Sequence, residues 1–198
     1  MANHDAADDL AFIRKIMDES RAFAEVGGKP FIRWGLLTSG GMLATWAIAT
    51  RLLPTPINSI WLVWGLVLAA GAVMSVLQSK RTAQQAAHHP SQAHIGAVWA
   101  ALGISMVLLF FPGQFFGVIK PLSIPAIAAS MLAIGVFMTG QLAQITWLRN
   151  LSFAWWLASA AMLAWPGVHT FLWYGLLILA LYVVPGLALN RMLKKPAG

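Results

Sequence analysis

The chain consists of long apolar segments separated by short polar breaks, and no acidic residue interrupts them. All 6 acidic residues lie between Asp5 and Glu25, so the chain from Val26 to Gly198 has no carboxylate side chain. A helix needs roughly 20 mainly apolar residues to cross about 30 Å of hydrocarbon. The sequence therefore predicts an all-α integral membrane protein, a six-transmembrane-helix bundle. Its predicted spans are 31–53, 58–77, 95–111, 124–140, 145–165 and 170–189.

Composition and chain breaks agree with this prediction. The chain is 59% hydrophobic and 10% charged, whereas a soluble domain is about 25% charged. Breaks are predicted at "PTP" (54–56), "PG" (112–113), "GQ" (140–141) and "PG" (166–167), where helices commonly end or turn. The third span is short and the fourth and fifth are weakly separated, so a bundle of five helices is the alternative.

Lysine and arginine predict the orientation, because they are retained on the cytoplasmic side during insertion. Of 13 basic residues, six spans place only Arg51 and Lys120 on the far side. Both termini are therefore predicted to be cytoplasmic, with residues 191–198 as a basic tail. This distribution explains the net charge of +7. It argues against nucleic-acid binding, which needs basic residues gathered on one face.

The segment before the first span, "DDLAFIRKIMDESRAFAEV" (8–26), has apolar residues at helical spacing and charges elsewhere. This pattern predicts a cytoplasmic amphipathic helix within residues 1–28, ended by Gly27 and Gly28. One reading is a helix on the headgroups or folded back on the bundle. The other is a docking surface for a partner or a second copy. The partner-contact candidates are Leu10, Ile13, Met17, Asp18 and Glu19.

The residue inventory argues against catalysis. There is no cysteine, which excludes thiolate metal sites and cysteine nucleophiles. The predicted spans have no acid for carboxylate chemistry or for a proton relay, and no "GxSxG" motif occurs in the chain. The sequence therefore predicts a protein that is not an enzyme and has no cofactor.

Three histidines, His88, His89 and His94, lie within a short polar stretch and are the candidate metal ligands. Structural zinc sites normally use four well-placed ligands, and this stretch offers neither cysteine nor acid. A solvated cytoplasmic loop is therefore the favoured interpretation.

Two arginines and three tryptophans are candidates for binding a ligand or a lipid. Arg33 and Arg149 lie near the cytoplasmic ends of the first and fifth spans, where snorkelling to the interface is the simpler interpretation. Asp18, Glu19 or Glu25 could instead reach these arginines and hold the N-terminal helix against the bundle. Trp64, Trp155 and Trp156 fall deeper than the others of the 10 tryptophans, so they suit either core packing or an aromatic-lined cavity.

The spans also contain small residues four positions apart, which allow helix backbones to approach closely. Two pairs of segments are similar, "AGAVMS" (70–75) with "IGVFMT" (134–139) and "WGLVLA" (64–69) with "YGLLIL" (174–179). Three helical hairpins in a common direction would be consistent with parallel repeats.

The amphipathic "IRKIMDESR" (13–21), followed by "GGKPFIRWGLL" (27–37) and six short spans, resembles a group of small, uncharacterised bacterial inner-membrane proteins. The resemblance implies a bacterial source and carries over no catalytic residue. The leading hypothesis is a non-enzymatic accessory, sensory or regulatory protein that acts by binding through its N-terminal helix. The alternative is a small transporter or channel for a lipophilic, uncharged or anionic solute.

Overall fold

A computed structural model describes residues 28–83 and 90–194, and their side chains over 28–77 and 94–191. These residues are helical throughout apart from short connections, and no β-strand occurs among them. Helix α1 covers residues 28–49. It is followed by α2 (Ser59–Ala83), α3 (Pro90–Phe115), α4 (Ile124–Leu142), α5 (Thr146–Ala164), α6 (His169–Ile178) and α7 (Val184–Lys194).

Four stretches are long and apolar enough to cross a membrane: Ser59–Leu77, His94–Phe115, Pro121–Leu142 and His169–Arg191. The last comprises α6, a short π-helix at Leu179–Val183 and α7. This finding indicates a membrane protein. The other two long helices are more polar, because α1 includes Arg33 and several hydroxyl residues and α5 begins with "TWLRN".

The third helix differs from the prediction, which ended it before "PG" at 112–113. Pro112 lies inside α3, and the helix continues to Phe115. The true stop is Gly117, whose φ is +69°. There the Val118 N–H donates to the Gly113 carbonyl at 2.8 Å and the Gly117 N–H donates to the Gln114 carbonyl at 2.9 Å. This is a Schellman motif, which glycine favours because it tolerates a left-handed conformation. The helix predicted to be short is 26 residues long.

Two other helices end on a left-handed residue that is not glycine. The first predicted span extends to residue 53, but α1 ends at residue 49, and Arg51 has a φ of +62°. Similarly, α4 ends at Leu142 and Gln144 has a φ of +56°. Helix α5 starts two residues later, so α4 and α5 are separate helices.

The π-helix precedes Pro185. In a regular α-helix the proline ring would clash with the carbonyl four residues earlier, that of Leu181. Here the Val184 N–H donates to the Leu179 carbonyl, five residues back, which widens the turn that the proline needs. The same turn directs Tyr182 and Val183 into the core, where both are buried.

The centre of the core lies between α4, α5 and α6. Ala126, Ala129 and Ala133 of α4 are fully buried. At the α4–α5 hairpin, a Cβ added to Gly140 would lie 2.7 Å from the Cα of Arg149. Small residues therefore let these helices approach closely, as is common between membrane helices.

Candidate functional site

Helices α1 and α2 are joined by two reciprocal contacts that each use a tryptophan. Trp64 of α2 donates its indole N–H to the Thr45 hydroxyl of α1 at 3.1 Å. That hydroxyl in turn donates to the Gly41 carbonyl at 2.8 Å, and the Trp64 ring lies 3.6 Å from a Cβ added at Gly41. The contact thus combines a ring over a glycine with a hydrogen bond to the hydroxyl residue four positions later.

The return contact runs from α1 to α2. Trp34 donates its indole N–H to the Ser75 hydroxyl at 3.2 Å. A Cβ added at Gly71, four residues before Ser75, would overlap with the Trp34 ring. We call this arrangement a tryptophan latch, defined as a tryptophan ring over a glycine with its N–H donated to the serine or threonine four residues later.

A third tryptophan latch joins α3 to α4. Trp99 donates to the Thr139 hydroxyl at 3.0 Å, and a Cβ added at Gly135 would lie 2.6 Å from its ring. Unlike Trp34, Trp99 is also in contact with two rings from other helices, Phe31 at 5.7 Å and Tyr182 at 5.9 Å between centroids.

The latches correspond to a sequence repeat that is longer than the predicted one. "WGLLTSGGMLAT" (34–45) and "WGLVLAAGAVMS" (64–75) share a tryptophan, a glycine seven residues later and a hydroxyl residue four residues after that. The predicted similarity of "AGAVMS" and "IGVFMT" corresponds to a structural likeness. Each segment contains the glycine and the hydroxyl residue of a tryptophan latch, formed with Trp34 and with Trp99 respectively. The other predicted pair differs in packing. Nothing lies near a Cβ added at Gly65, whereas one at Gly175 would contact Leu43 at 3.2 Å.

The structure does not gather the predicted ligand candidates into one site. Arg33 is exposed on α1, and half-buried Arg149 donates to the Gln141 side chain at 3.4 Å. Trp64 belongs to a latch, as described above. Trp155 is fully buried on α5, and its indole N–H has no hydrogen-bond partner among the described residues. Half-buried Trp156 contacts Phe137 and Phe153.

The other predicted candidates give no site among the described residues. His94 is exposed on α3, and the part of the chain that is described contains no cluster of residues able to hold a metal ion. Predicted candidates outside the described residues are Leu10, Ile13, Met17, Asp18, Glu19, His88 and His89.

A shallow apolar cleft of about 350 Å³ opens between α2 and α3. It is lined by Trp61, Phe111, Pro112, Phe115 and Phe116. None of these side chains is ionisable, and the cleft offers no group that could orient a polar substrate.

No protein-family model, curated protein or solved structure matches this chain. The functional reading therefore depends on the residues themselves. The described hydrogen bonds and ring contacts among them hold helices together.

Proposed function

We propose that the chain is a non-enzymatic protein of six spans in a bacterial inner membrane, with both termini cytoplasmic, that acts by binding. Residues 8–26 form an amphipathic helix that serves as its contact surface. Support for six spans comes from α1 and α5, which complete three hairpins with the four apolar stretches. The orientation rests on the uneven distribution of lysine and arginine.

Binding is favoured over transport because buried hydroxyl groups form hydrogen bonds between helices. Ser39 of α1 donates to the Gly175 carbonyl of α6 at 2.9 Å. Ser159 of α5 donates to the Ala126 carbonyl of α4 at 2.8 Å and lies 3.0 Å from the Ser130 hydroxyl. An anionic or otherwise hydrated solute that crosses a bundle needs polar groups that can replace its water. In the described core, these hydroxyls instead join one helix to another.

A transporter or channel remains the second candidate, and Trp155 is the observation that favours it. A buried N–H without an acceptor costs about 1–3 kcal/mol, and such groups often mark sites that another state or ligand completes. The π-helix in the neighbouring segment Leu179–Val183 is also a feature frequent at functional sites.

Native mass spectrometry of the chain extracted from its own membrane separates the two candidates. The full chain is compared with a variant that lacks residues 1–26. Binding predicts a protein partner or second copy retained by the full chain and lost from the variant. A small molecule retained equally by both would favour transport. A bare monomer in both cases would contradict the binding proposal.

A further inference from the structure

One side of α1 is left uncovered by the described helices. Its exposed residues Lys29, Arg33, Leu36 and Gly40 recur at intervals of four, three and four, which places them on one stripe. Helix α2 contacts α1 elsewhere, through the two tryptophan latches. Helix α7 contacts it at Gly28, where an added Cβ would meet Gly186 and Asn190.

Helix α7 has a matching stripe. Val184, Leu187 and Arg191 are exposed at intervals of three and four, while Leu189 on the other side is buried in the core. At the crossing, a Cβ added at Gly186 would lie 3.0 Å from the Gly28 carbonyl and from Ile32. Both stripes consist of exposed residues and lie beside this glycine crossing, so the surface between them is not covered by the described helices. We call it the α1–α7 surface.

Charge indicates what covers the basic end of this surface. Lys29, Arg33 and Arg191 bring three exposed cations to that end. No described residue is acidic, since every carboxylate of the chain lies between Asp5 and Glu25. Asp18, Glu19 and Glu25 belong to the segment that enters α1 at Gly28, beside this surface. Gly27 directly precedes α1, and glycine tolerates a wider range of backbone conformations than other residues.

We propose that the basic end of the α1–α7 surface is the seat of the chain's own segment 8–26. Carboxylates of the segment pair with Lys29, Arg33 and Arg191, and its apolar stripe lies toward Leu187 at the membrane interface. The inference deepens the proposed function and rests on its amphipathic helix. A segment seated on its own bundle holds Leu10, Ile13 and Met17 away from a partner until that partner competes for them.

Trypsin protection tests the seat, because the segment contains Arg14, Lys15 and Arg21. The full chain is reconstituted at one copy per nanodisc of zwitterionic lipid, and the rate of cleavage within 8–26 is measured. Arg191→Glu should accelerate cleavage about fivefold, the scale of one surface ion pair. Arg191→Gln should accelerate it less. Glu19→Arg or Glu25→Arg, added to Arg191→Glu, should restore protection of the bonds after Arg14 and Lys15, which are scored separately because each new arginine is itself a trypsin site.

Matched controls use the same charge change at the other predicted membrane face. Arg51→Glu and Lys120→Glu should leave the cleavage rate unchanged. A cleavage rate within residues 8–26 that Arg191→Glu leaves unchanged would overturn the proposed seat. Protection that appears only with anionic lipid would assign the segment to headgroups, and protection that needs two copies per disc would assign it to a second copy. Either result would overturn the proposal.

Failure of the seat and failure of the proposed function give different results. An unprotected segment whose deletion still removes a partner in native mass spectrometry would contradict only the seat. A protected segment whose deletion removes nothing would contradict the binding function and leave the seat intact.

Discussion

Helices α2 and α3 differ from α4 and α6 in how they are held. In the most apolar part of each, 11% of α2 and none of α3 is buried, against 50% of α4 and 44% of the α6–α7 stretch. The inner helices pack through small residues that bring backbones together. The outer helices are attached mainly by tryptophan latches, with large apolar side chains such as Leu62 and Ile104 left exposed.

The inner and outer helices should therefore differ in how easily they move within the bundle. Backbone contacts through glycine and alanine cannot adjust without moving a helix, so the inner half is rigid. A latch depends on one ring and one hydrogen bond, so an outer helix can be released at moderate cost.

The largest effect is expected at the inner hairpin. Gly140→Ala places a Cβ 2.7 Å from the Cα of Arg149, so backbone must move and the free energy of unfolding should fall by about 3 kcal/mol. Unfolding in detergent micelles measures the loss. Gly103→Ala is the matched control, because nothing lies within 4 Å of its added Cβ. Equal losses at the two positions would contradict the inner packing.

An intermediate effect is expected where a glycine faces a ring. Gly71→Ala should lower the free energy of unfolding by about 2 kcal/mol, because the Trp34 ring must swing aside. In a Trp34→Leu background the same substitution should cost much less, since no indole remains to be displaced. If the cost is unchanged in that background, the ring is not what Gly71 accommodates.

The hydroxyls of the latches should matter less, and unequally. Thr139→Val removes the acceptor of Trp99 in the covered latch and should cost about 1 kcal/mol. Ser75→Ala removes the acceptor of half-buried Trp34, and because the Ser75 side chain is exposed the loss should be about 0.5 kcal/mol. Both are measured by the same unfolding assay. A larger loss at Ser75 than at Thr139 would contradict the view that the Trp99 latch is the better covered of the two.

The smallest effect is a gain. Gln144 adopts a positive φ that glycine tolerates better, so Gln144→Gly relieves about 1 kcal/mol of backbone strain, and the net gain in stability should be about 0.3 kcal/mol. Its side chain also donates to the Gln141 carbonyl at 3.0 Å, and that bond would be lost. Gln144→Ala serves as control, because it loses the bond without relieving the backbone and should destabilise. Destabilisation by both substitutions would show that the side chain outweighs the backbone term.

The sequence predicts the helices and the membrane class of the protein well, because hydropathy and length are properties of single segments. Helix ends were harder to predict. Arg51 and Gln144 adopt a conformation that glycine normally marks, and Pro112 lies inside a helix where proline usually marks a boundary. Gly117 was a usable signal that the neighbouring "PG" obscured.

The latches were missed for a different reason. From the sequence, Trp64 suits either core packing or a cavity. Its hydrogen-bond partner, Thr45, lies on another helix, and the sequence of one helix does not show a hydrogen bond to another. The repeated spacing of tryptophan, glycine and hydroxyl in 34–45 and 64–75 was the available signal. The orphan N–H of Trp155 depends on three-dimensional packing alone and could not be predicted from the sequence.

We expect the inner helices α4, α5 and α6 to keep one fixed packing, because a protein that acts by binding does not need to alternate between two states. Because the chain has no cysteine, spin labels can be introduced at Ile134→Cys of α4 and Leu176→Cys of α6, both exposed. Pulsed electron spin resonance in nanodiscs should give one narrow distance between the labels. Two distinct distances between the labels, each found in part of the molecules, would show that the inner helices adopt two arrangements and would favour a transporter.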